Sequence, residues 1–267
     1  MAAAPALGDD WNKTFPVSGK PTLVLRANDG NVRVEAADIK QIEARVRTTG
    51  WRIGSGEVLI RDTQDANRVE ISVRVPQGTF GIGNWGVQIE FRVPREADLD
   101  LDTEDGNIRA TGVAGAIRLN TGDGNLTLDG LKGDLRVSTR DGDIDGTNLD
   151  GPLDANTGDG NINLRGRWDR LNLRTGDGNI DVESQPGSTM ASNWSATTGD
   201  GNITLRLPKD FACDLDAHTG DGDIRTDFEV TTSGKVGTSD LRGRLNGGGQ
   251  ATLTLRTGDG NLRITKL

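Results

Sequence analysis

The chain has no tyrosine, one histidine and one cysteine, and aromatic residues make up 4% of its 267 residues. Each scarcity closes off a class of protein. A lone cysteine, Cys213, excludes an intramolecular disulfide. It follows Phe211 and Ala212 in an apolar run, the setting of a buried thiol rather than a reactive one. A lone histidine, His218, would have to carry any histidine metal centre or Ser-His-Asp triad by itself. Beside Thr219-Gly220-Asp221 it reads as an outward-facing strand residue without a catalytic part. Hydrophobic residues are 33% of the chain, too few for a round core and enough for a thin, repetitive one. No segment approaches the roughly 20 apolar residues of a membrane-spanning helix. Lys and Arg (31) are outnumbered by Asp and Glu (40), for a net charge of −9. That balance argues against a nucleic-acid backbone or an anionic membrane surface as partner.

What the chain has in quantity is glycine, 38 residues, and the glycines are periodic. The phrase Thr121-Gly122-Asp123-Gly124-Asn125 recurs with small changes. Its Asp-Gly core begins at Asp29, and then at the pairs Asp105-Gly106, Asp123-Gly124, Asp141-Gly142, Asp159-Gly160, Asp177-Gly178, Asp200-Gly201, Asp221-Gly222 and Asp259-Gly260. From Asp105 to Asp177 the steps are 18 residues each; the later steps are 23, 21 and 38. A fixed period decides the architecture before any local reading does.

Aligned on the Asp, the flanking residues alternate. Six positions earlier stand Leu23, Leu99, Ile117, Leu135, Leu153, Leu171, Trp194, Leu215 and Leu253. Four positions earlier every copy is again apolar, and two positions earlier all but the first carry Thr, from Thr103 to Thr257. Three positions later stand Val32, Ile108, Leu126, Ile144, Ile162, Ile180, Ile203, Ile224 and Leu262. Alternation on both sides of a turn means two short strands per repeat. The same apolar set at the same offset fits stacked coils, in which like sits on like around one continuous core. The expected fold is therefore all-β: a single-domain parallel β-solenoid of about 18 residues per coil. An antiparallel sandwich or barrel is the alternative. Eight prolines and the dense glycines leave no room for long helices.

The turn chemistry follows from the fold. Gly after Asp supplies a positive φ, Asp folds its carboxylate onto nearby backbone N–H groups, and Thr and Asn build vertical ladders. A column of carboxylates about 4.8 Å apart repels by about 1 kcal/mol per neighbouring pair even at the dielectric of water. Either each carboxylate turns onto its own backbone, or cations sit between them.

By this reading residues 1–10 are a flexible leader and 11–267 the solenoid, with a hairpin-like insertion or cap at 48–96, regular repeats at 97–227 and a degenerate coil plus the last coil at 228–267. Residues 1–6 are too short for a signal peptide and read as the remnant of a trimmed export signal behind a start methionine. The strand at 11–17 covers the N-terminal end of the core. The insertion holds two alternating runs, 69–75 and 87–93, each followed or closed by proline at Pro76 and Pro94. Between them, 77–86 carries Phe80, Ile82 and Trp85 among four glycines. This is the one loop with apolar tips, a lid for the solenoid end or a partner-binding site. The strand ending in Lys266 and Leu267 is read as an edge blunted by its lysine.

Several chemistries compete with a purely structural repeat. RTX-type nonapeptides also build 18-residue coils and hold calcium in their turns. Their Gly-Gly-x-Gly-x-Asp phrase fills both turns of a coil. This chain has one Asp-Gly turn per repeat and an irregular second turn at Gly130, Gly133, Gly151 and Gly166. The turns thus read as structural and no cofactor or metal is expected, with a calcium-binding β-roll as an alternative. A carbohydrate-active β-helix is another, but its acid pair would break the repeat, and here the acidic residues obey it. No Gly-rich stretch opens a helix, so a phosphate loop fails on context. The sequons at Asn12, Asn125, Asn193 and Asn202 fall largely within the repeat and read as coincidence.

The Thr-x-Asp-Gly-(Asn/Asp)-Ile repeat, the Phe15-Pro16-Val17 entry and the final Thr257-Gly258-Asp259-Gly260-Asn261-Leu262 resemble the bacterial candidate-adhesin domains of unknown function. The resemblance runs from about Trp11 to Leu267. It implies an exported β-solenoid, periplasmic, cell-surface or extracellular, and a non-enzymatic structural or adhesion-type module whose partner is a surface protein or glycan. It assigns no binding residue.

Overall fold

The computed structural model describes residues 8–54, 56–76, 85–232 and 237–267. They form no helix; every regular element is a strand. Eighteen of the strands pair off around an Asp-Gly turn into nine coils, and two more make a tenth without one. In chain order, coil 1 is Thr22–Asp29 with Asn31–Ala37, and coil 2 is Arg68–Arg74 with Gly86–Pro94. Coil 3 is Asp98–Asp105 with Ile108–Thr111, coil 4 Ile117–Thr121 with Leu126–Asp129, and coil 5 Leu135–Ser138 with Ile144–Asp150. Coil 6 is Leu153–Asn156 with Ile162–Arg167, coil 7 Leu171–Arg174 with Ile180–Ser184, and coil 8 Trp194–Asp200 with Ile203–Leu207. Coil 9 is Cys213–Asp221 with Ile224–Thr226, and coil 10 Thr252–Asp259 with Leu262–Lys266.

The first strands of all coils form one sheet and the second strands another, so the molecule is a two-faced parallel β-solenoid. The register is the one the offsets predict. Leu99 lies beside Ile117, Ile117 beside Leu135, and Leu135 beside Leu153. On the other sheet Ile108, Leu126, Ile144 and Ile162 line up in the same way. These columns are buried and face each other across a thin core. Each Leu or Ile in them contributes about 1.5–3 kcal/mol relative to exposure. A short third ladder through Glu96, Ala114, Lys132 and Asp150 closes one side over buried Val113, Leu131 and Leu149.

One irregularity repairs the core. The inward position of coil 5 holds Gly146 where its neighbours carry Leu128 and Leu164. A bulge between Gly146 and Leu149 lifts the chain there, with Asn148 at φ 55. Leu149 turns into the space instead: a Cβ on Gly146 would meet its Cδ1 at 2.6 Å.

The ends depart from chain order. Along the axis the coils run 2-1-3-4-5-6-7-8-10-9. Coil 1 is held between coils 2 and 3, and coil 10 between coils 8 and 9. Coil 2 comes from the segment 48–96. Its two alternating runs are the two strands of a full coil, and Leu59–Asp65 forms the hairpin with Arg68–Arg74. On the other sheet Gln41–Thr49 runs antiparallel to Gly86–Pro94, and Asp10–Pro16 antiparallel to Gln41–Thr49, with Phe15 buried. At the far end, the described part of 228–250 is not a coil. Asp240–Leu245 runs antiparallel to Cys213–Asp221, and Val230–Thr232 antiparallel to Asp240–Leu245. Leu262–Lys266 is accordingly an interior strand and not an edge; the Lys266 ammonium lies over the Phe228 ring, 5.3 Å from its centroid.

Candidate functional site

The Asp-Gly turns stack into one column along the rod, and two hydrogen-bond ladders run through it. Each Thr two residues before an Asp is buried. Thr121, Thr139, Thr157 and Thr175 donate their hydroxyls to the carbonyls of Gly106, Gly124, Gly142 and Gly160 in the coil before, each at 2.8 Å. Thr198 and Thr257 continue the ladder onto Gly178 and Gly201, and Thr219 onto Gly260. The second ladder uses the residue after the Gly. The Asn125 N–H donates to Asn107 Oδ1, that of Asp143 to Asn125 and that of Asn161 to Asp143, at 2.7–2.8 Å. It runs without a break from Asn31 to Asp223.

Two details of the expected turn chemistry are corrected. Gly124, Gly142, Gly160 and Gly178 do not owe their place to a positive φ. A Cβ on any of them would lie 1.9–2.0 Å from the Gly carbonyl oxygen of the coil before, so close approach excludes a side chain. A positive φ joins that clash at Gly106, Gly222 and Gly260, whereas Gly201 shows the clash alone, at 2.3 Å. Nor do the turn carboxylates of Asp105, Asp123, Asp141, Asp159, Asp177, Asp200, Asp221 and Asp259 fold onto backbone N–H groups among the described residues. Thr hydroxyls take that part, accepting from Gly142, Gly160 and Gly178. The carboxylates stand exposed, where water screens their repulsion. At the end of the column, burial and then the charge of Asp105 raise Asp29 above its ordinary value, against one backbone hydrogen bond from Gly30.

Of the three loop residues singled out in the sequence, Phe80 and Ile82 lie outside the described residues. Trp85 is 44% exposed and packs against the buried Trp51, with ring centroids 4.6 Å apart. His218 is exposed with Nδ1 2.8 Å from Asp240 Oδ1, a contact that ties coil 9 to the strand covering it. Cys213 is fully buried, and burial followed by the charge of Asp214 pushes its thiol up to about 12. It has no nucleophilic form at neutral pH.

Three shallow depressions on the outer faces are each built around two arginines side by side on neighbouring coils. On the sheet of first strands Arg118 lies beside Arg136, in a trough of about 500 Å³ that also reaches Asn156, Asn172 and Arg174. On the other sheet Arg33 lies beside Arg109, and Arg263 beside Arg225. In each pair one arginine is tied to a carboxylate two residues away in the chain: Arg136 to Asp134, Arg33 to Glu35, Arg225 to Asp223. The other, Arg118, Arg109 or Arg263, has no acidic partner within 4.0 Å among the described residues. Like charges directly opposite each other in a sheet are destabilising; Asp100 beside Arg118, Asp154 beside Arg136 and Glu90 beside Arg33 offset part of that repulsion from the flanking coils.

The model of the family described as Toastrack DUF4097 matches residues 22–265, the whole coiled body. The chain belongs to this family. No functionally curated protein matches the Toastrack chain. Among solved structures, a candidate adhesin from Bacteroides fragilis is 13% identical, covering 96% of this chain and 97% of its own, at a TM-score of 0.48. A candidate lipid-binding protein from Parabacteroides distasonis is 10% identical, covering 96% and 98%, at 0.47. A candidate cell adhesion protein from Clostridium sporogenes is 13% identical, covering 98% and 100%, at 0.32.

The arginine pairs of the Toastrack chain do not show at the invariant offsets of the repeat. The signal was present at the variable ones. Five positions before the Asp, successive regular repeats read Asp100, Arg118, Arg136, Asp154 and Asn172. Once the register is known, two like charges next to each other in that row stand out.

Proposed function

We propose that this Toastrack chain is a non-enzymatic binding module of the bacterial envelope or surface, which holds a ligand against its flat sheet faces. The observation that carries this reading is the shape of the polar surface. Long parallel sheets set open troughs of Arg, Asn, Ser and Thr in fixed rows, about 4.8 Å from coil to coil. The absence of catalysis is part of the proposal. Apart from Cys213 and Asp29, the clearly shifted titrating groups are partners in ion pairs, the setting of surface structure rather than of acid-base chemistry. Export is proposed from the resemblance of the repeat to envelope domains. Arrays of bacterial and host glycans and surface proteins, probed with the folded chain, test the reading. Specific retention of one ligand class is the expected result. Release of reducing ends or unsaturated products from a polysaccharide would overturn it, as would a melting temperature that collapses in EDTA.

A further inference from the structure

We infer that the trough on the sheet of first strands binds a carboxylated polysaccharide lying at a slant to the axis of the rod, with Arg118 and Arg174 as its carboxylate anchors. This rests on the binding-module reading and names its ligand. Three observations lead to it.

The first is charge. In a chain of net charge −9, Arg118 and Arg174 have no ion pair among the described residues, and Arg118 faces the like charge of Arg136 on the next coil. The carboxylates around them are already engaged. Asp100, beside Arg118, is held by both terminal nitrogens of Arg26; Asp154 accepts from Asn172 and pairs with Arg170 at 3.4 Å. The guanidinium forks are thus left for an external anion, and a carboxylate matches their two-pronged geometry.

The second is the lining. Apart from the arginines and Asp154, whose carboxylate is held by Asn172 and Arg170, the trough presents amides and hydroxyls, such as Asn156, Asn172 and Ser138, with Val137, Ala155 and Leu173 beneath them. A surface of this kind hydrogen-bonds a hydroxyl-rich chain. It offers no aromatic platform for bases and no apolar bed for acyl chains or a hydrophobic peptide.

The third is spacing. Arg118 and Arg174 belong to coils 4 and 7, so the two anchors are three steps of about 4.8 Å apart along the axis, in rows two residues apart across it. An extended pyranose chain advances by a comparable step per sugar, so uronates about three sugars apart reach the two anchors when the chain crosses the trough at a slant to the rod axis.

The test is titration of the folded chain with polygalacturonate oligomers, in EDTA and low salt, with dextran as the neutral control. Binding of polygalacturonate that weakens as salt rises, with none to dextran, is expected. The Arg118→Ala/Arg174→Ala double variant should bind at least tenfold more weakly. Arg118→Lys/Arg174→Lys should also lose affinity, because a point charge replaces the fork. Arg165→Ala/Arg206→Ala, on the opposite face, where each arginine is already paired with a carboxylate, should bind as the parent does. All variants are first matched to the parent by circular dichroism; the anchors are exposed, and the lysine variant keeps charge and volume should the alanine variant lose its fold. Failure to bind polygalacturonate, equal binding of dextran, or unchanged affinity in both anchor variants overturns the inference. If polygalacturonate fails while an array retains another glycan or a protein, this inference falls and the binding-module reading stands. If nothing is retained, both fall.

Discussion

The middle of the rod and its two ends are built from the same strands but held together differently. From coil 3 to coil 8 each coil lies on the one before it in the chain, all pairs are parallel, and both turn ladders run on without interruption. At each end the outermost coil is not the one at the end of the chain. Coil 2 covers coil 1 and coil 9 covers coil 10; antiparallel strands finish both sheets at the N-terminal end and the sheet of first strands at the other. The middle is therefore a sum of nearest-neighbour interfaces, while each end is a single interlocked unit. The arrangement protects the edges: Val230–Thr232 and Ile224–Thr226, the outer strands at the C-terminal end, are three residues long, too short to template another chain effectively.

The largest effect should come from breaking the interlock. Removing residues 252–267 takes out the coil between coils 8 and 9 and leaves both of their facing strands unpaired. Loss of cooperative melting for the C-terminal unit is expected, with rapid limited proteolysis between 208 and 251. Deleting residues 141–158 should be far milder. It joins the first strand of coil 5 to the second strand of coil 6 at an equivalent point of the repeat, and the product should still melt cooperatively. If the two deletions melt alike, the distinction between middle and ends is wrong.

Next in size is Gly142→Ala, whose Cβ would stand 2.0 Å from the Gly124 carbonyl oxygen in the ladder. A loss of about 1–3 kcal/mol is expected in urea unfolding, the usual range for overpacking. Gly86→Ala, at the N-terminal end, meets nothing within 4 Å and should be neutral or slightly stabilising.

Thr157→Val removes a hydroxyl that donates to Gly142 and accepts from Gly160, both in the buried turn. A cost of about 1–3 kcal/mol follows from leaving those groups unpaired. Thr103→Val should cost less, because Thr103 reaches only the Asp105 carbonyl of its own coil, at 3.1 Å. Equal losses at the two sites would show that the inter-coil ladder carries no special weight.

The smallest effect is electrostatic. Asp29 is raised, so its ionised form is disfavoured in the fold; this penalty is absent below the ordinary carboxylate value of 3.8 and complete once pH exceeds the raised one. Asp29→Asn should therefore lift the melting temperature slightly at neutral pH, with the gain fading as pH falls through that window. A gain that persists in acid would point to packing instead.

Much of the middle was legible in the residues. The inward positions held by Ile117, Leu135 and Leu153 recur at one offset, and stacking turns an offset directly into a spatial column. The Thr and Asn ladders followed from the same alignment. The reason for glycine at Gly142 did not, because close approach between coils is a property of two segments, and a local reading sees one. The bulge that brings Leu149 over Gly146 was hidden for a like reason: it answers a missing side chain in the core. The runs in 69–75 and 87–93 were recognised as strands, but without an Asp-Gly turn between them nothing marked them as a coil. The arginines of the trough lay in the variable rows, where a like-charge pair has meaning only after the register is known.

By itself, then, the sequence determined the coil: which residues face in, where the corner falls, and that like stacks on like. Periodic burial and tight-turn chemistry are local, and nine copies of them repeat the message. Only the tertiary structure decided the order of the stack at its ends and the pairing of charges across coils. Strands from any two coils offer the same hydrogen-bond edge and the same apolar columns, so the identity of a neighbour is settled by loop lengths and by which coils are free to receive the end of the chain. The period carries no record of that choice.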